Sequence, residues 1–131
     1  MGFLNYNDLD VWKESRKLVS TIYQISKKFP KEEVYGLTSQ IRRSSISIIS
    51  NIAEGVGRNH TKDALQFFHI ARGSLYEAEA QTIISKDLEY ISEEQLETLL
   101  LQFTTCKKLL NGFINYHKSK ISKPNTIHNT P

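Results

Sequence analysis

Residues 40–58 read QIRRSSISIISNIAEGVGR. Ile41, Ile48 and Ile52 recur at helical spacing and Val56 continues the row, so the stretch predicts an amphipathic helix. Its other side is unusual. On a helical wheel Gln40, Arg43, Ser47, Asn51, Glu54 and Arg58 fall within about 80° of one another, roughly opposite the isoleucines. A solvated helix face is usually built from Lys and Glu, whereas this stretch carries serine, asparagine and arginine and no lysine. Ser and Asn are poor helix formers because their short polar side chains compete for backbone hydrogen bonds. Ile46, Ile49 and Ala53 widen the apolar arc beyond one seam. That width fits burial on several sides in an oligomer, or equally a central helix in a small bundle.

This helix is expected from about Thr38 to Glu54, with Gly55 and Gly57 stopping it through a left-handed cap. Upstream, Leu18, Ile22, Ile25 and Phe29 keep the same rhythm, with Leu9, Trp12, Val19 and Tyr23 beside them. A first helix therefore starts near Asp8, capped by Asn7 or Asp8, and Pro30 stops it. Downstream, Ala64, Phe68, Ala71, Leu75, Ala78 and Thr82 form the core stripe of a third helix, from about Lys62 to Leu88, with Thr61 as its cap. Its opposite stripe is Lys62, Gln66, His69, Gly73, Glu77 and Ala80. Gly73 in mid-helix costs roughly 1 kcal/mol against Ala. The sequence SEEQ at 92–95 is a capping-box pattern opening a fourth helix that reaches about His117. No stretch reads as a strand hairpin. The connections near 30–37, 55–61 and 88–92 are short, which favours antiparallel neighbours. The expected fold is all-α, an antiparallel up-down-up-down four-helix bundle over residues 1–118. Residues 119–131 are polar and aperiodic and are expected to form a mobile tail.

The chain of 131 residues suits one domain, and 39% hydrophobic with 24% charged residues are ordinary for a soluble protein, while the net charge of +3 is mildly basic and points weakly to a polyanion partner. The charge is uneven. From Lys107 to Pro131 there are five lysines and no acid, a net +5, against −2 for the rest. The one cysteine, Cys106, lies in an apolar helical context and reads as a buried, inert thiol in a reducing compartment. No apolar run approaches the ~20 residues of a membrane span. The N-terminal MGFLNYNDLD does not read as a signal peptide, so a cytoplasmic protein without a membrane partner is expected.

Enzyme signatures are missing. No Glu stands three residues before His60, His69, His117 or His128, as a di-iron bundle needs. There is no His-Glu-x-x-His pair, P-loop or nucleophile elbow. No catalytic residue, metal ligand or cofactor is expected. Glu54 and Glu77 read as ion-pair partners for Arg43, Arg58 or Arg72.

Two surface readings stand beside their plainer alternatives. Ser47, Asn51 and Gly73 are small enough to admit a neighbouring helix, expected from another subunit, with Gln40, Glu54 and Glu77 on the same contact; the alternative is two solvated stripes. Arg42, Arg43, Arg58, Lys62 and Arg72 cluster on the central helices and suit phosphate, as do the C-terminal lysines. The alternative is solubility and local ion pairs, which a single monomer at +3 favours.

The segments DLDVWKESRKLV, FPKEEVYGLTSQIRRSSISIISNIAEGVGR and FFHIARGSLYEAEAQ resemble a bacterial four-helix bundle family. It includes proteins encoded by intervening sequences within 23S ribosomal RNA genes and relatives that accompany diversity-generating retroelements. The resemblance spans roughly residues 3–117. It implies homopentameric rings and, by analogy with the retroelement relatives, a basic surface that binds RNA or DNA beside a protein partner such as a reverse transcriptase. The shared motif covers Gln40, Arg42, Arg43, Ser47, Asn51, Glu54, Gly55, Arg58, Ala71, Arg72, Gly73, Ser74 and Glu77. Ser45 and Ile49 stand where the family usually has Ala and Pro, and losing the proline should straighten the second helix.

Overall fold

The computed structural model describes residues 5–128, with side chains through Ile121. A 3-10 turn at Tyr6–Asp8 leads into α1 (Asp10–Ser26), and a second at Lys31–Glu33 leads into α2 (Leu37–Val56). The long helices α3 (Thr61–Asp87) and α4 (Glu93–His128) follow. The described residues contain four α-helices and no strand. Each helix packs on the next in sequence and α4 returns to α1, so the four enclose one core. Leu18, Ile22, Ile41, Ile48, Phe68 and Phe103 are fully buried there. Each such side chain contributes about 1.5–3 kcal/mol through removal from water.

The capping box forms as expected. Ser92 N–H donates to Gln95 Oε1 at 2.8 Å, and Gln95 N–H donates to Ser92 Oγ at 3.1 Å. The other expected caps shift. Asn7 and Asp8 belong to the first 3-10 turn, and Leu9 precedes α1 without a side-chain cap. Asp10 in the first turn still meets the positive end of the helix dipole. Thr61 is the first helical residue of α3 and His60 takes the cap position, again without a side-chain bond. α2 runs unbroken past Ile49, whose carbonyl accepts the Trp12 indole N–H at 3.2 Å.

The expected left-handed glycine cap of α2 is corrected. Gly57 is right-handed (φ −78°, ψ −4°). Gly55 lies inside the helix and is buried, because a Cβ there would overlap the Phe68 ring and stand 3.0 Å from the Ala64 carbonyl oxygen. Its value is close approach. The left-handed cap instead ends α3, at Glu89 (φ 66°). Tyr90 N–H bonds the Ser85 carbonyl at 2.8 Å and Glu89 N–H the Lys86 carbonyl at 2.9 Å, a Schellman closure.

The fourth helix was expected to stop near His117, but it continues to His128. Ile121 explains part of this extension, since it is half-buried against the core one turn beyond His117. The mobility expected of residues 119–131 falls mostly outside the described side chains.

Two substitutions test this geometry by urea denaturation. Gly55→Ala should lose about 1–3 kcal/mol through overpacking against Phe68. Glu89→Gly should gain about 1 kcal/mol by relieving the left-handed backbone.

Candidate nucleic-acid interface

Ser44 and Ser47 of α2 face α3. Ser74 Oγ donates to Ser47 Oγ at 2.8 Å, and Asn51 Nδ2 donates to the Ser47 carbonyl at 2.8 Å and to Ser47 Oγ at 2.9 Å. Three residues earlier in α2, Ser44 Oγ donates to Gln81 Oε1 at 2.7 Å. With Gly55 and the buried Ala71 and Ala78, these residues make a seam of small side chains between the two helices. The neighbour that Ser47 admits is therefore α3 of the same chain, while the Asn51 amide bonds back to Ser47 within α2. Gly73 differs: it is exposed, and a Cβ built there meets nothing within 4 Å beyond its own stretch of helix backbone.

The expected ion pairs divide. Arg58 pairs with Glu54 at 2.8 Å and its guanidinium lies 4.5 Å from the Phe67 ring centroid. This exposed pair contributes no more than about 0.5 kcal/mol. Glu77 instead accepts from Gln81 Nε2 at 3.5 Å. Arg72 stands five positions before Glu77, roughly 140° around the helix, and turns elsewhere. It donates to Asn111 Oδ1 at 3.1 Å and to His69 Nδ1, taken as the acceptor, at 3.2 Å. Burial, then the Arg72 and Lys118 charges, hold the His69 imidazole below its ordinary value of 6.5.

Arg42 has an intramolecular task that the sequence did not reveal. Its Nε donates to Ser26 Oγ at 2.8 Å and its Nη2 to the Tyr23 carbonyl at 3.3 Å, with the guanidinium 4.7 Å from the Tyr23 ring centroid. It closes the C-terminal turn of α1 with the charge that helix end prefers. Gln40, Arg43 and Lys62 are exposed.

A chain of contacts then gathers one end of the molecule. Gly55 lets Phe68 in, and the Phe68 ring centroid lies 4.8 Å from Phe113 and 4.9 Å from His117. Phe113 and Lys108 share a cleft with Leu9 and Val11. The C-terminus of α2, the start of α3, the second half of α4 and the start of α1 thus meet. This end presents Arg58, Lys62 and Arg72 together with Lys108, Lys118 and Lys120, offset in part by Asp8, Asp10, Glu54 and Asp63. At the other end Glu33 receives the Tyr90 hydroxyl at 2.8 Å and Thr21 and Ile25 share a cleft with Glu94. That end is rich in Glu32, Asp87, Glu89, Glu93 and Glu94, offset in part by Lys27, Lys28 and Lys31. Charge is polarised along the bundle. The lysine-rich, acid-free C-terminal run was visible in the sequence, but its meeting with His69 and Arg72 was not.

Such an end suits phosphate, which needs positive charge more than a fixed motif. Among the described residues no three His, Cys, Asp or Glu side chains stand together so as to hold a metal ion. Burial pushes the Cys106 thiol up to about 11, so it stays protonated and unreactive. No described helix is long and apolar enough to cross a membrane.

A four-helix, all-α chain with one basic end is the class these observations define. The family model described as 23S rRNA-intervening sequence protein matches residues 7–112, and the chain belongs to that family. A crystal structure of a protein with unknown function from the S23 ribosomal protein family, from Bacteroides thetaiotaomicron VPI-5482, is similar at a TM-score of 0.73 and 28% identity. The likeness covers 79% of this chain and 97% of that one. No curated protein matches the sequence. The family match ends inside α4, before Lys118 and Lys120.

His117 supplies a pH test. Burial first, then the Lys120 charge, outweighs its bond to the Phe113 carbonyl and holds the imidazole below 6.5. The unfolded chain therefore takes the proton first. His117's contribution is complete above pH 6.5 and is lost as pH falls below it toward the lower folded value. The melting temperature should decline through that window, and His117→Phe should flatten most of the decline. An unchanged slope in the variant would trace it elsewhere.

Proposed function

We propose that this protein is a non-enzymatic homo-oligomer that binds RNA or DNA through its basic end. The charge polarity of the bundle carries the reading: Arg72 and Lys118 both face His69, and Arg58, Lys62, Lys108 and Lys120 share that end with fewer acidic residues than the other end holds. Lys62 and the exposed lysines of α4 contact phosphate, with Arg58 and Arg72 contributing; Arg42 and Arg43 lie in the first half of α2, toward the C-terminus of α1, and stand apart from this surface. A cytoplasmic setting fits the single unpaired cysteine.

Within the subunit the reading is up-down-up-down. Contacts between successive helices run in reverse order, Trp12 with Ile49 and Ser26 with Arg42, then Ser44 with Gln81 and Gly55 with Phe68. Between subunits, the outer face of α3 is the contact. Ile70, Gly73, Glu77, Ala80 and Ile84 follow a seven-residue repeat, with Ile70 51% and Ile84 42% exposed. A second copy's helix would cover these isoleucines and come close at Gly73. The resemblance to pentameric relatives supplies the ring and the number five. A ring places several basic ends together and raises the local positive charge beyond the +3 of one chain.

Binding to labelled structured RNA, duplex DNA and single strands across a salt series tests this function. Affinity should fall steeply with salt as counterions are released. Arg58→Glu with Lys62→Glu should weaken binding at least about tenfold without changing the oligomeric mass. Binding that ignores both salt and charge reversal would reject the proposal. Separately, Gly73→Leu with Ile84→Lys should lower the solution mass, and an unchanged mass would exclude the α3 face.

A further inference from the structure

Two apolar side chains stand out from the corner between α1 and α2. Tyr35 is 95% exposed and Val34 53%. The segment that carries them is firmly braced. Val34 N–H donates to the Lys31 carbonyl at 3.1 Å and Gly36 N–H to the Glu33 carbonyl at 2.9 Å. The Glu33 carboxylate accepts from Leu37 N–H at 3.0 Å and from the Tyr90 hydroxyl at 2.8 Å, tying the corner to α2 and to the connection between α3 and α4. Gly36 makes room for this, since a Cβ there would stand 2.7 Å from Glu33 Oε1. Val34 and Tyr35 are therefore held out on a backbone that has little freedom left to lose when something binds.

Beside them runs a groove of about 500 Å³. Phe29, Pro30 and Val34 give it apolar walls, and Lys27, Lys31 and Arg42 give it positive charge. Phe29 is backed by the Tyr90 ring at 5.4 Å, so the groove does not simply collapse inward. An exposed aromatic beside a concave apolar surface is the arrangement that dominates protein interfaces, where Tyr and Arg supply most of the binding energy.

We propose that this corner docks an acidic segment of a protein partner. One apolar or aromatic side chain of that segment enters the groove over Phe29 and Pro30, against Val34 and Tyr35. Its flanking carboxylates meet Lys27 and Lys31. The local charge selects a peptide over a nucleic acid. Glu32, Glu89, Glu93 and Glu94 surround this end of the bundle and repel an extended polyanion, whereas one or two carboxylates can pair with the groove lysines alone. The site lies at the opposite end from the proposed nucleic-acid surface and does not depend on it.

Selection of short random peptides displayed on phage against the full-length protein tests the site. Tyr35, Lys27 and Lys31 are exposed, so Tyr35→Ala and the pair Lys27→Glu/Lys31→Glu should keep the melting temperature of the parent. Selected peptides should combine Asp or Glu with a large apolar residue. Synthetic copies should bind the parent and lose about tenfold in affinity with each variant, a loss of ~1.4 kcal/mol. Recovery of no peptide, of peptides without acidic residues, or of peptides that bind all three proteins equally would overturn the proposal. A labelled single-stranded oligonucleotide that weakens with Tyr35→Ala while the peptides do not would overturn it too, and would assign the corner to nucleic acid.

Discussion

The close approach of α2 to α3 is the constraint on which the rest of this structure depends. Gly55 has no Cβ, and the Phe68 ring occupies the space one would fill. Phe68 then stacks with Phe113 and His117, which fixes α4 against the same end of the bundle. Along the seam, Ser44, Ser47 and Ser74 continue the close contact with polar groups that satisfy one another across it. Larger residues here would separate the helices and scatter the basic groups at their ends. The serines cost helix propensity, and close packing with internal hydrogen bonds offsets that cost.

The choice of arginine over lysine follows from the same geometry. Arg42 stacks on Tyr23 while its fork reaches Ser26 and the Tyr23 carbonyl; Arg58 covers Phe67 while pairing with Glu54; Arg72 divides its fork between Asn111 and His69. A planar guanidinium offers a flat face for stacking and a rigid fork of donors, whereas an ammonium is a compact point charge with neither. Arg42, Arg58 and Arg72 therefore hold structure together, and the exposed Arg43, Lys62, Lys108, Lys118 and Lys120 keep the freer charge. Charge reversal at Arg58 thus disturbs a packed contact as well as a field, whereas reversal at Lys62 disturbs the field alone.

Much of the fold was legible because it rests on short-range periodicity. The core stripes containing Ile41, Ile48, Phe68 and Leu75 and the Ser92–Gln95 box depend on spacings within one helix. What was not legible depends on which helix meets which. Ser47 pointed to a close contact, but the wheel could not say whether its neighbour belonged to the same chain. Gly55 read as a helix stop, because nothing local announces that Phe68 will lie against it. Ile121 was overlooked in a polar stretch for the same reason. The Glu54–Arg58 pair was readable at four-residue spacing, and the Arg72–Asn111 contact, bridging two helices, was not.

Polarity along the bundle also separates the two surfaces proposed for it. If subunits assemble through the flank of α3 in the same orientation, their basic ends share one face of the ring and their α1–α2 corners the other. A polyanion and an acidic protein segment would then not compete for the same cations. The bracing of the corner is suited to this division. The Leu37 N–H and then the Tyr90 hydroxyl hold the Glu33 carboxyl below the usual carboxylate range. Glu33 therefore stays ionised, and its two bonds intact, until the pH falls well into the acid range. The imidazoles of His69 and His117 lie at the other end, both held below their ordinary 6.5 by burial first. Mild acidification thus loosens the packing beneath the basic surface while the Val34–Tyr35 corner keeps its shape.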